Sequence, residues 1–143
     1  CLHGRVAEIE GLLVGGIGGV FRGKIWYPKE GHEQPRIPSP EEFLRAYCRQ
    51  GSTFRGGVPL KHRGTIFPSD FEALKAHGKL DILVTHEAPS CHDNGFRALD
   101  DLAKSMDASL IIHGHHHYSY ERILTFGTRV RGLGRAEVWE VKV

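Results

Sequence analysis

Asp81-Ile82-Leu83-Val84-Thr85-His86-Glu87-Ala88-Pro89 and Ser109-Leu110-Ile111-Ile112-His113-Gly114-His115-His116-His117 decide the architecture of this chain. Each is a short apolar run that ends in histidine and then breaks into loop, as a buried strand does where it reaches the edge of a sheet. Between them, Gly95 to Met106 carries Phe96, Leu99, Leu102, Ala103 and Met106 on one helical stripe. Strand, helix and strand with short joints form a βαβ unit. The strands predicted over 80–85 and 110–112 are therefore parallel, with adjacent C-terminal ends. His86 and the His113–His117 run leave those same ends, where ligands gather in α/β sheets. Two separate marks become one candidate site.

Upstream, Arg5 to Ile9 alternates, Glu10-Gly11 turns, and Leu12 to Ile17 returns as a buried strand, a predicted hairpin. Gly15, Gly16, Gly18 and Gly19 imply that another backbone or a ligand comes close at this strand's end. No helix pattern follows them, which argues against a dinucleotide loop. From about 28 to 80 the chain turns polar and holds six of its seven prolines. Two short helices are expected there, each with a capping box. Ser39-Pro40-Glu41-Glu42 leads into Phe43, Leu44, Tyr47 and Cys48, with Gly51 as a stop; Ser69-Asp70-Phe71-Glu72 leads into Leu74 and Gly78. This stretch reads as an insertion over the core, either a lid or a surface elaboration. Downstream, strands are expected over 120–125, 128–133 and 136–143, split at Gly127 and Gly134. Asp93-Asn94-Gly95 is the expected cap of the helix that follows it.

With 143 residues, the chain suits a single domain, 1–143, large enough to bury a core. Lys+Arg 19 against Asp+Glu 17 gives no electrostatic footprint for nucleic acid or an anionic membrane, and no basic run stands out. No apolar run approaches the roughly 20 residues of a membrane span, and no signal-peptide order opens the sequence. Cys1, Cys48 and Cys91 form no CxxC pair, which points to a reducing, cytoplasmic setting.

The ten histidines are the compositional excess, and six of them lie between 86 and 117. His115 and His117 are two apart, a spacing that extended backbone would send to one side. Neutral imidazole suits Zn, Mn or Fe; the alternative is a solvated histidine-rich turn. His116 is expected to support a ligand or to be exposed, and His113 to be either a satisfied core histidine or functional. His92, in the loop before the helix, is a candidate to reach substrate without being assigned to it, and Glu87 is expected either to accept from an imidazole N–H or to face solvent. His3, His32, His62 and His77 are expected at the surface.

Val84-Thr85-His86-Glu87-Ala88-Pro89 followed by Gly114-His115-His116-His117 resembles the C-terminal half of the calcineurin-like metallophosphoesterase family. The resemblance implies an α/β protein, part of a four-layer αββα sandwich of two mixed sheets. It also implies a two-metal centre of Mn, Fe or Zn, with His86 and His115 on one ion and His117 on the other. Two ions roughly 3.5–4 Å apart clamp a phosphate and generate hydroxide near neutral pH. The implied activity is hydrolysis of a phosphate mono- or diester. No catalytic or substrate-contacting residue is assigned beyond the metal ligands.

The family's Asp-x-His, Gly-Asp-x-x-Asp and Gly-Asn-His-Asp/Glu segments are absent from the sequence. The resemblance places Cys1 just after the last of them, so the expectation is a C-terminal portion of a longer polypeptide. Three neutral imidazoles cannot offset the repulsion of two dications; at most one metal ion and little turnover are expected of this chain alone. A missing half would leave open strand edges and an uncovered apolar face, met by a homodimer or by a complementing N-terminal segment. Three readings stand: a metallophosphoesterase portion, a truncated non-catalytic protein or binding module that keeps the scaffold, and a histidine-rich metal-binding protein of another kind.

Overall fold

The computed structural model of the chain describes residues 1–29, 33–48 and 52–141. The hairpin forms as expected: β1 (Arg5–Ile9) pairs antiparallel with β2 (Leu12–Ile17) around Glu10 and Gly11. β3 (Ile82–Thr85) lies parallel to β2, and β4 (Leu110–His113) parallel to β3, with Ile82 opposite Leu110 and Thr85 opposite His113. The crossover is α3 (Arg97–Ser105), whose stripe is buried at Leu99, Leu102 and Ala103. β5 (Tyr120–Ile123) and β6 (Arg129–Gly132) complete a mixed sheet of order β1-β2-β3-β4-β6-β5. This is the expected α/β class. Among the described residues all strands join one sheet, rather than the two of the implied sandwich.

The two faces of that sheet differ. One carries Ile17, Leu83, Ile111 and Val130 against Phe71 and Leu74 of α2 (Pro68–Lys75) and the stripe of α3. The opposite face has Val14, Ile82 and Leu110, covered in part by Leu2, Trp139 and Val141. By strand register Ile9 and Ile123 share that second face at its two edges, and they remain 51% and 73% exposed.

Three expectations shift. The helix after Ser69 instead starts at Pro68, and the Asp70 carboxylate accepts from the Phe67 N–H at 2.7 Å, so Ser69 is not the cap. α3 has Phe96 at its N-cap with no side-chain cap, so Asp93-Asn94-Gly95 does not cap it. Residues 136–141 form no strand. Ala136 is left-handed (φ 54°), and Glu137 turns back to accept from the Gly134 N–H and to pair with Arg131. By contrast α1 (Pro40–Tyr47) is capped by Ser39 as expected, its hydroxyl accepting from the Glu42 N–H. Gly51, His32 and the end of the predicted last strand lie outside the described residues.

The stretch over 28–80 packs in two places. α2 belongs to the main core, while Ile25, Ile37, Phe43 and Phe67 form a small core of their own. Gly19 explains the glycine cluster at the end of β2. Its φ is +95°, and a Cβ there would come within 2.5 Å of the Gly64 carbonyl oxygen, so backbone is what approaches. Among the described residues no helix is long and apolar enough to cross a membrane.

Candidate metal centre at the strand ends

Parallel register carries Thr85 and His113 to the same level of the sheet, and the chain leaves both strands there. His86 continues the ladder for one step, its N–H donating to the Ile17 carbonyl at 3.1 Å. On the neighbouring exit the backbone does not stay extended. His115 and His117 are both left-handed, with φ of 66° and 60°. The His116 N–H closes a three-residue turn onto the Gly114 carbonyl at 2.8 Å, with His115 at its apex. Strand alternation therefore does not place His115 and His117, contrary to the sequence reading. A strained turn does, of the kind that gathers at functional sites.

This turn aims His115 at His86. Their Nδ1 and Nε2 atoms are 2.6 Å apart. His117 is exposed and makes itself felt at His86 electrostatically. Partial burial first, then His115 and His117, hold the His86 pKa below its usual value, which favours the neutral, ligating form. Two nitrogens bound tetrahedrally to one zinc at about 2.0–2.1 Å would lie about 3.3 Å apart. As they stand, the two rings are hydrogen-bonded to each other. The pair fits a cation as two donors of a set. Among the described residues no three His, Cys, Asp or Glu side chains form a complete group.

Glu87 is buried beside this pair, and burial raises its carboxyl pKa against the pull of His115 and Lys29. A cavity of about 290 Å³ opens along the same strand ends, lined by Leu2, His3, Gly16, Val84, His86 and Gly114. His3 borders it, its Nε2 3.0 Å from Asp70 Oδ2 and its Nδ1 accepting from the Gly18 N–H at 3.1 Å.

The remaining histidines sort by packing. His113 is 1% exposed and fully bonded: Nδ1–H donates to the Gly114 carbonyl at 3.0 Å, leaving Nε2 to accept from the Tyr120 hydroxyl at 2.6 Å. It is the satisfied core histidine. Gly132, opposite both, has no room for a Cβ beside the Tyr120 ring. His116 is half-buried and stacks on the buried His92, with ring centroids 3.7 Å apart, and its Nε2 has no hydrogen-bond partner. Burial first, then His92 and the other imidazoles, lower its pKa to about 4. His62 is buried rather than at the surface; His77 is exposed as expected. Sequence reasoning missed Tyr120 and the His92–His116 stack. A glycine inside β6 opposite a tyrosine was the available signal for the first.

No family model matches the chain. It is 41% identical over 133 residues to an uncharacterized protein of Haemophilus influenzae, an alignment covering 93% of this chain and 57% of that protein. The chain thus spans little more than half the length of this relative. In three dimensions it is similar to TT1561 of Thermus thermophilus, with a TM-score of 0.54 at 18% identity. That superposition covers 93% of this chain and 48% of TT1561. The likeness establishes a shared fold.

Proposed function

We propose that the chain is the C-terminal portion of a metal-dependent phosphoesterase, with His86, His115 and His117 as its contribution to the metal centre. The observation that carries this is the convergence of the His86 and His115 ring nitrogens at the C-terminal ends of two adjacent parallel strands. A bound Mn, Fe or Zn would supply Lewis acidity and a water of lowered pKa. The chain's own part is to hold neutral imidazoles in place. Lowered basicity favours the neutral form of His86, the left-handed turn presents His115, and the His113–Tyr120 bond fixes the strand from which that turn departs. The cavity beside His86 offers room for a phosphate-sized group.

The part of the relative that this chain does not span supports assigning turnover to a longer polypeptide, with this portion holding at most one ion. A second reading is a non-catalytic metal-binding or interaction module that keeps the scaffold, favoured by the lack of a three-donor group among the described residues. Metal content and manganese-dependent hydrolysis of an aryl phosphate, measured on this chain and on a version extended to the relative's length, separate the two. The first reading expects turnover in the extended form only, abolished by His115→Ala. An inactive extended form leaves the second.

A further inference from the structure

The segment that leaves β2 and returns at α2 carries a charge that whole-chain totals conceal. Between positions 18 and 66 the sequence has nine lysines and arginines against four acidic residues. Part of this excess gathers around the small core. Arg22, Lys24 and Lys61 are exposed, and all three act on the buried His62. Phe43 packs on His62 with ring centroids 4.6 Å apart, and Tyr47 packs on Phe43 at 5.5 Å. Lys24 Nζ lies 5.0 Å from the Tyr47 ring centroid. Arg63, next in sequence to His62, and Arg55 both lie against the Phe54 ring, at 5.2 and 5.3 Å.

None of these five cations pairs with a carboxylate among the described residues. His62, an imidazole that is either neutral or cationic, offers no countercharge either, and burial first, then Lys61, Arg22 and Lys24, lower its pKa. Like charges left without carboxylate partners repel, so the charge excess itself works against stability. It does suit an anionic partner.

The aromatic groups narrow the choice of partner. Tyr47 is 56% exposed, and Arg55 and Arg63 add two guanidinium planes. An acidic peptide would engage the cations and leave these flat surfaces unused. A single-stranded nucleic acid uses both, because its phosphates meet Lys and Arg while its bases stack on tyrosine or guanidinium. We propose that the face formed by Arg22, Lys24, Tyr47, Arg55, Lys61 and Arg63 binds single-stranded nucleic acid, with the cations on phosphates and a base stacked on Tyr47. The inference does not depend on phosphoester chemistry at His86.

Fluorescence anisotropy of a labelled oligothymidylate of about a dozen nucleotides, titrated with the whole chain, tests it. Five neutralised phosphates on a single strand predict affinity about a hundredfold weaker at roughly 200 mM salt than at 50 mM. Tyr47→Ala should weaken binding about tenfold at unchanged salt slope. Lys24→Glu combined with Lys61→Glu should remove binding while circular dichroism stays native; if that pair unfolds the chain, Lys24→Gln with Lys61→Gln should still weaken binding at least severalfold. Absence of binding at low salt overturns the proposal, as does binding indifferent to the lysine pair. Polyglutamate competing as well as the oligonucleotide, with Tyr47→Ala silent, would assign the face to an acidic protein segment instead.

Discussion

The Nδ1 of His115 sits 2.6 Å from the Nε2 of His86, the distance of a hydrogen bond and shorter than that between two ligands of a single ion. Metal entry therefore has to break that hydrogen bond and part the two nitrogens by about 0.7 Å, a movement within reach of side-chain rotation. His115 stands at the apex of a left-handed turn that a residue with a Cβ adopts only at a cost.

That strain makes a test available. His115→Gly removes a penalty of about 1 kcal/mol and the imidazole together, with some of the gain offset by the freer unfolded chain. The expected outcome is a thermal midpoint equal to or above the parent's, with metal retention lost, read by calorimetry and by zinc or manganese titration. A variant that still holds metal as tightly would remove His115 from the site.

The His113–Tyr120 bond should be worth more to stability than its exposed neighbours suggest. Tyr120→Phe leaves the buried Nε2 of His113 without a donor, a loss of about 1–3 kcal/mol. Gly132→Ala should cost at least as much, because its methyl group would meet the Tyr120 ring where β5 and β6 pair. Urea unfolding of both variants checks this. Near-parental stability in each would show that the ring moves aside freely.

Much of the fold was legible because it is local. Alternation fixed the β1–β2 hairpin, the stripe of α3 fixed the crossover, and parallel β3 and β4 followed from connectivity. The route of residues 136–141 was not legible, since it depends on Glu137 meeting Gly134 and Arg131, contacts that alternation of Trp139 and Val141 does not encode. At the candidate site, the meeting of His86 and His115 could be read from two strand ends. The turn that produces it could not, because spacing alone does not distinguish an extended His-x-His from one bent at φ 66°. His62 looked like a surface residue because its burial comes from Phe43, nineteen positions away in sequence, a contact that no local pattern announces.

The buried His62 gives a pH dependence of defined sign. Its folded pKa lies below the ordinary 6.5, from burial first and then from Lys61, Arg22 and Lys24. The unfolded chain therefore binds the proton more readily, so His62 contributes stability above pH 6.5 that is lost as pH falls toward the folded value. His62→Phe keeps the packing on Phe43 and removes the titration, at the cost of the contact with Thr65. Denaturant midpoints should favour the parent or match it at pH 7.5 and favour the variant near pH 5.5. Parallel curves across that range would mean that His62 titrates alike in the folded and unfolded chain.

Asp100 controls the loop that carries His86 and His92, although it lies in the first turn of α3. Its carboxylate accepts from the Ser90 N–H at 2.9 Å and from the Ser90 hydroxyl, and it is 8% exposed with no cation partner among the described residues. The helix N-terminus and these two donors are what make a buried carboxylate tolerable there. Asp100→Ala removes two hydrogen bonds to a charged acceptor, although water can reach the exposed Ser90, and should cost about 1.5–3 kcal/mol, against almost nothing for the exposed Asp101→Ala. The loop between β3 and α3 is also held by the Phe96 N–H to Ala88, the Thr85 hydroxyl to Glu87, the Lys29 ammonium to the Gly95 carbonyl and the His92–His116 stack, while Asp100 is what anchors it at Ser90. Metal affinity should therefore fall with stability in the Asp100 variant and stay unchanged in the Asp101 control. A variant that loses stability yet binds metal as before would mean that His86 is held by its own ladder bond to Ile17, independently of the loop beyond it.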